Sequence, residues 1–131
     1  TSVKNVFFAK CGAMIKFKKK VICFDIDNVI CKTKGNSYHL SKPNILAIKK
    51  INELYNKGYT IKLFTARFMG RNNGNISKSK KQALKLTLYQ LRKWKVRYNK
   101  LYFGKPSYDL IVDDLSIYFK KSWYKDIDKY L

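Results

Sequence analysis

Apolar strand-like segments alternate with helix-like segments along this chain of 131 residues, and the alternation limits the folds it can adopt. Segment 21–27, VICFDID, is a short apolar run that ends in acids, as is typical of a strand buried in a parallel sheet. Further strand-like runs cover 59–64, 100–103 and 109–112. Strands that alternate with helices form right-handed crossovers. The pattern therefore predicts one α/β domain over residues 21–131, a three-layer α/β/α sandwich with a mainly parallel sheet and helices on both faces.

The first helix is predicted to follow a small hairpin over residues 29–40, because a Gly35-Asn36 turn separates two short, partly β-branched arms. Ser41 is the predicted cap of this helix, Pro43 fits its first turn, and Gly58 ends it. The apolar residues at near-helical spacing are Ile45, Ile48, Ile51 and Leu54. This spacing indicates a helix with one buried face.

A second helix is predicted from about Ser77 to Trp94, after a polar loop at 67–75. Its predicted buried stripe consists of Ala83, Leu84, Leu88, Leu91 and Trp94. The tail, residues 115–131, mixes aromatic residues with lysines and predicts one or two short helices.

The chain carries 29 basic and 8 acidic residues, a net charge of +21, which suggests an anionic partner. Only four of the basic residues are arginine, and the lysines occur in nearly every segment. Arginine is the residue suited to bidentate recognition of phosphate. A nucleic-acid partner is therefore not the favoured interpretation, although the composition does not exclude it.

No apolar run reaches the roughly 18 to 20 residues of a membrane span, and the first 20 residues lack a signal-peptide core. We therefore expect a cytoplasmic protein without a membrane partner. The three cysteines are odd in number and lack metal-site spacing, which predicts free thiols, with Cys23 filling space in the core. Residues 1–20 are predicted to be a basic extension, and Met14 is a candidate native start.

Polar residues follow each predicted strand. They are Asp25 and Asp27 after the first, Thr65 after the second, Lys105 after the third, and Asp113 and Asp114 after the fourth. In open parallel sheets, ligands bind at the carboxyl ends of the strands. We therefore expect these six residues to converge on one edge of the sheet.

Carboxylates brought together resist ionisation unless a cation neutralises them, and Mg²⁺ prefers carboxylates, water and phosphate as ligands. One acid of the Asp25 and Asp27 pair could attack phosphorus while the other moves a proton. Thr65 and nearby backbone amides could bind phosphate oxygens, and Lys105 could offset negative charge. The cluster therefore predicts phosphoryl-transfer chemistry.

Four motifs in this order resemble those of haloacid dehalogenase superfamily phosphatases. They are FDIDNVI, LFTAR, FGKP and IVDD, and the resemblance covers residues 21–115. Within the superfamily the chain is most similar to small members without a cap domain that are associated with capsule or surface polysaccharide biosynthesis. The resemblance implies a Rossmann-like fold and a Mg²⁺-dependent phosphatase that acts on a sugar phosphate or a similar metabolite.

The resemblance also implies roles for individual residues. Asp25 would be the nucleophile, Asp27 the general acid and base, Thr65 and Ala66 the phosphate binders, and Lys105 the neutralising cation. Mg²⁺ would be held by Asp25, the backbone carbonyl of Asp27, Asp113, and Asp114 directly or through water. Arg67 is a candidate substrate contact.

The segments 27–43 and 65–105 leave no room for a cap domain, so the predicted site is open. An open site implies either a large substrate or a second copy of the chain that covers it. Two alternatives remain: a phosphatase that acts on polynucleotide 3′ ends, and a non-catalytic binding module that keeps the fold.

Overall fold

The computed structural model describes residues 6–8, 14–16 and 19–131. The prediction of a basic extension over residues 1–20 falls largely outside this part of the chain, and the start at Met14 stays a prediction. The elements in chain order are β1 (Val6–Phe8), β2 (Met14–Lys16), β3 (Val21–Asp25), β4 (Cys31–Lys32), β5 (Lys42–Pro43), α1 (Ile45–Asn56), β6 (Thr60–Thr65), α2 (Ile76–Lys93), β7 (Lys100–Phe103) and α3 (Trp123–Asp126). Short 3₁₀ turns cover Tyr38–Leu40 and Ile127–Tyr130.

The central sheet has three parallel strands in the order β3-β6-β7. Phe24 of β3 lies beside Leu63 of β6, which in turn lies beside Leu101 of β7. Strands β1 and β2 form a separate antiparallel pair. The predicted α/β class, with a parallel sheet and no cap domain, is confirmed.

Side chains alternate between the two faces of the sheet. Phe24, Ile61 and Leu63 are buried, and their core continues into α1, α2 and α3. On the opposite face Val21 and Cys23 are exposed, so the prediction that Cys23 fills core space is wrong. Right-handed crossovers that step in one direction along a sheet place their helices on the same face. The described residues thus contain one helical layer, where the sequence predicted two.

The segment between β3 and α1 contains a small hairpin, as predicted, but its second arm, β5, lies beyond the predicted residues 29–40. Strand β4 pairs antiparallel with β5, and Gly35 has a φ of 55° in the turn. Helix α1 is capped by Asn44, whose side chain accepts a hydrogen bond from Ala47 N at 3.1 Å. The predicted cap at Ser41 is wrong, because the chain is still extended there and enters the helix only after β5.

Helix α2 begins after Asn75, whose side chain accepts from Lys78 N at 2.9 Å. The buried residues of this helix are Ser79, Ala83, Thr87, Gln90 and Leu91. Leu84 is 37% exposed, so the predicted apolar stripe is wrong at this position. The buried face is rotated toward the polar residues Thr87 and Gln90, which contact Arg67.

The predicted fourth strand at 109–112 is wrong. Residues 104–122 contain neither a helix nor a strand, and Leu110 and Val112 are 83% and 95% exposed. An apolar run forms a buried strand only if a sheet edge pairs with it, and among the described residues only β6 pairs with β3. The tail does form the predicted short helices, and Trp123 packs against Phe24 with ring centroids 5.1 Å apart. None of the helices in the described part of the chain has the length and apolarity of a membrane span.

Candidate functional site

Three of the predicted site residues meet at the carboxyl edge of the sheet. Asp25 ends β3, Thr65 ends β6, and Lys105 follows β7. The backbone amide of Lys105 donates to the carbonyl oxygen of Thr65 at 3.1 Å. Its ammonium Nζ donates to Asp25 Oδ2 at 2.5 Å. Residues from the ends of three neighbouring strands therefore form one contiguous site.

The Asp25 carboxylate is held at both oxygens. Oδ1 accepts from Ile26 N at 2.8 Å, and Oδ2 accepts from Lys105. Burial raises the pKa of Asp25 above its ordinary value, although the Lys105 ammonium and the Ile26 amide act to lower it. For Lys105, burial acts to lower the pKa, but the hydrogen bond to Asp25 and the nearby Tyr108 raise it overall. The Asp25 side chain is 31% exposed, so a ligand can reach the carboxylate.

The Asp27 carboxylate is bound by a planar guanidinium. Arg67 Nε lies 3.0 Å from Oδ2, and Arg67 Nη2 lies 3.0 Å from Oδ1. Thr33 Oγ1 donates to Oδ1 at 2.7 Å. Such bidentate pairs fix the orientation of a carboxylate as well as its charge. Asp27 therefore has one defined rotamer beside Asp25, with 18% of its side chain exposed.

The other side of the Arg67 guanidinium is anchored on α2. Nη1 donates to Gln90 Oε1 at 2.6 Å and to Thr87 Oγ1 at 3.2 Å. The Gln90 amide in turn donates to the carbonyl oxygen of Tyr38 at 2.7 Å. Gln90 thus connects the hairpin between β4 and β5 to the guanidinium that orients Asp27.

As it is placed, Arg67 is not accessible for the predicted substrate contact. Its side chain is 0% exposed, and its donors point at Asp27, Thr87 and Gln90. The sequence does not single out Thr33, Thr87 or Gln90. The only local sign is that Thr87 and Gln90 are three apart on α2, and this spacing gains meaning only once the buried face of the helix is known.

Thr65 is fully buried, and its Oγ1 accepts a hydrogen bond from Arg67 N at 3.1 Å. A threonine hydroxyl that accepts in this way still has its own proton to donate. Ala66 follows directly and is half-buried, and its carbonyl oxygen accepts from Met69 N at 3.0 Å. The two residues form the start of the loop that adjoins Asp25.

The predicted magnesium site is not formed by the residues as they are placed. Asp113 and Asp114 are exposed, and Asp113 Oδ1 accepts from Leu115 N at 2.8 Å. No three His, Cys, Asp or Glu residues of the described ranges lie together as a group that could hold a metal ion. Asp25 and Asp27 are instead each neutralised by a basic side chain. The predicted four-acid cluster required the fourth strand, which is absent from the described fold.

No protein-family model matches the sequence, and no curated protein does either. Among solved structures, the crystal structure of a structural-genomics target from Vibrio cholerae is similar, with a TM-score of 0.73 and 25% identity. The similarity covers 85% of this chain and 94% of the other. The name of that target states no function, so this likeness supports the α/β fold.

Proposed function

We propose that this chain is a phosphomonoester hydrolase of the haloacid dehalogenase type in which Asp25 attacks phosphorus. The observation that carries the proposal is the contact between Lys105 Nζ and Asp25 Oδ2, which joins residues 80 positions apart at the carboxyl edge of the sheet. Thr65 lies beside this pair through the hydrogen bond between its carbonyl oxygen and the Lys105 amide. A carboxylate nucleophile, a cation and a hydroxyl donor are the groups that phosphoryl transfer to an acid requires.

In the first step a carboxylate oxygen of Asp25 forms a bond to phosphorus, and the bond from phosphorus to the leaving oxygen breaks. The products are an aspartyl-phosphate and an alcohol, which takes up one proton. In the second step the oxygen of a water molecule forms a bond to phosphorus, and the bond from phosphorus to the Asp25 oxygen breaks. Inorganic phosphate leaves and the carboxylate is restored. Lys105 offsets the charge of the nucleophile and of the transferring group. Thr65 is fully buried, so the predicted hydrogen bond from its hydroxyl to a phosphate oxygen requires the loop that follows it to move aside.

We assign the proton transfers to Asp27. In the second step it accepts a proton from the attacking water, for which a carboxylate held in one orientation is suited. In the first step the proton for the leaving group must sit on an oxygen of Asp27 that accepts hydrogen bonds from Arg67 and Thr33 in this structure. To act as the general acid, Asp27 must therefore lose one of these hydrogen bonds.

A Mg²⁺ requirement remains a prediction from the resemblance alone, because the described residues do not assemble its ligands. No step above depends on the ion. Turnover measured with Mg²⁺ and with excess chelator tests it, and full activity in chelator would contradict it.

For the substrate we propose a small phosphorylated metabolite such as a sugar phosphate. The partly exposed Asp25 has no cap domain above it, so either a bulky substrate or a second copy of the chain would cover the site. A role in surface polysaccharide synthesis also stays a prediction from the resemblance.

The test is a panel of phosphomonoesters comprising an aryl phosphate, sugar phosphates, nucleotides and 3′-phosphorylated oligonucleotides. Wild-type protein should hydrolyse the aryl phosphate, and Asp25→Asn should fall to background because the attacking oxygen is lost. The matched control is Asp128→Asn, the same change at an exposed acid that pairs with Lys50, and its turnover should be unchanged. An inactive wild-type protein would refute the proposal and favour the binding-module alternative. An active Asp25→Asn variant would refute the assignment of Asp25 as the nucleophile.

The role of Asp27 is tested by the leaving group. Loss of a general acid typically costs about 10² to 10⁴-fold, and the cost is small when the leaving group is a stable anion. Asp27→Asn should therefore retain far more of its phosphoenzyme burst on an aryl phosphate than on a sugar phosphate. An equal loss on both substrates would show that Asp27 is not the general acid.

A further inference from the structure

The acidic residues of this protein are unevenly distributed along the chain. Residues 54–108 contain 14 basic residues and no acid. Among the described residues, the ion pairs outside the Asp25 and Asp27 site lie on α1 and the C-terminal segment; they are Lys50–Glu53, Lys50–Asp128, Lys120–Asp126 and Lys129–Asp126. Apart from Arg67 and Lys105, which pair with Asp27 and Asp25, the basic residues of this part of the chain form no ion pair with a described residue.

Helix α2 concentrates this charge on one face. At about 100° of rotation per residue, the face opposite its buried residues consists of Lys78, Lys81, Lys85, Tyr89 and Arg92. All five side chains are exposed. From Lys78 to Arg92 the row extends about 21 Å along the helix axis. The result is a straight basic row with one aromatic ring in it.

This row is not stabilised from within the described structure. Lysines at spacings of three and four residues repel each other and destabilise a helix, as Lys78, Lys81 and Lys85 do here. No acid of the described residues forms an ion pair with α2. The face therefore fits an anion that another molecule supplies.

The row begins beside the candidate site. The first residue of α2, Ile76, lies so close to Gly104 that a Cβ built on that glycine would be 2.8 Å from Ile76 Cγ2. Lys105 is the next residue along the chain. A linear ligand on the α2 face can thus run to the edge of the sheet where Asp25 lies.

We propose that the exposed face of α2 binds the phosphate backbone of a single-stranded nucleic acid. A row of lysines contacts successive phosphates as point charges. Tyr89 is 58% exposed, so its ring provides a surface for base stacking. The Lys93 ammonium lies 5.8 Å from the centre of this ring. An anionic membrane fits less well, because a helix bound in a membrane surface inserts an apolar face, and that of α2 is buried in the core.

The proposal reverses the expectation that the partner is not nucleic acid. That expectation considered how many basic residues are lysines, but not where the acids lie along the chain. It does not depend on the chemistry of Asp25. Oligonucleotide binding and phosphomonoester turnover are measured separately. Failure of the phosphatase proposal would therefore leave this one standing, and failure of this one would leave the phosphatase proposal standing.

The experiment measures fluorescence anisotropy of a labelled oligothymidylate of about 12 nucleotides across a range of salt concentrations. The variant Lys81→Glu/Lys85→Glu should have a binding constant lower by roughly 10-fold or more. The slope of the logarithm of the binding constant against the logarithm of the salt concentration should become shallower by about 1.4, which is 0.7 for each lost phosphate contact. The control Lys49→Glu/Lys125→Glu changes the net charge equally, at exposed positions of α1 and α3. Its affinity should change by less than about 3-fold, since distant charges are screened.

Equal weakening by both pairs would overturn the proposal, because net charge alone would then explain binding. Lack of wild-type binding at physiological salt would also overturn it. Lys81→Gln/Lys85→Gln repeats the comparison without introducing acids, and circular dichroism checks that each variant is folded.

Tyr89 separates nucleic acid from other polyanions. Tyr89→Ala should weaken oligothymidylate binding by about 5-fold or more, because a stacked base is lost, whereas Tyr89→Phe should retain it. Neither change should affect binding of inorganic polyphosphate. If Tyr89→Ala leaves oligothymidylate binding unchanged, and polyphosphate binds as tightly, the assignment to nucleic acid is wrong.

Discussion

Two isosteric substitutions that lie two residues apart, Asp27→Asn and Asp25→Asn, should have very different effects on stability. Both remove one negative charge opposite a basic partner. The partner of Asp27 is Arg67, whose side chain is 0% exposed, while the partner of Asp25 is Lys105, at 13%. Asp25 is also the more exposed acid, at 31% against 18% for Asp27.

Breaking a buried ion pair costs about 3 to 5 kcal/mol, because an uncompensated charge stays in the interior. Asn at position 27 keeps one oxygen that accepts from the guanidinium, so we expect the lower limit, about 3 kcal/mol. The Asp25 pair is partly solvated, and such pairs contribute about 1 kcal/mol or less. Burial already disfavours the charged form of Asp25, as its raised pKa shows, which reduces the loss further. The two variants should therefore differ by about 2 kcal/mol.

The assay is urea unfolding at neutral pH, with excess chelator so that no metal ion contributes to the free energy of unfolding. In thermal unfolding, a difference of about 2 kcal/mol corresponds to roughly 6 to 10 °C for a domain of this size. Equal free energies of unfolding for the two variants, or a larger loss for Asp25→Asn, would refute the reasoning from burial. As a further check, Arg67→Met added to Asp27→Asn should recover part of the loss, because it removes the orphaned guanidinium.

In a protein with Cys11 replaced by serine, a thiol reagent should label the exposed Cys23 under native conditions and Cys31, which is 2% exposed, only on unfolding. Burial raises the pKa of both thiols, so labelling of Cys23 at neutral pH should be slower than that of a free thiol, and the reverse order of labelling would contradict the placement of β3. Gly104→Ala should cost about 1 kcal/mol more than Gly74→Ala, because both positions have positive φ but only Gly104 would place its Cβ against Ile76. Equal costs in denaturant unfolding would show that the Ile76 side chain moves aside freely.

Local patterns in the sequence were enough to predict strands β3, β6 and β7 and helices α1 and α2, because hydrophobic period and turn residues are properties of neighbouring positions. They also predicted that Asp25, Thr65 and Lys105 meet, since the carboxyl ends of adjacent parallel strands share an edge. Helix boundaries were less well determined. The cap of α1 is Asn44 rather than Ser41, because the intervening residues pair as β5.

The sequence by itself thus determined the α/β class, the parallel sheet and the edge on which the nucleophile candidate lies. Only the tertiary structure decided what each charged group contacts. Arg67 is 40 residues from Asp27 and 23 from Gln90, and its burial follows from how α2 packs on the sheet. The segment that ends in Asp113 has the composition of a strand, yet it is exposed, because strand formation needs a partner edge that no local pattern specifies.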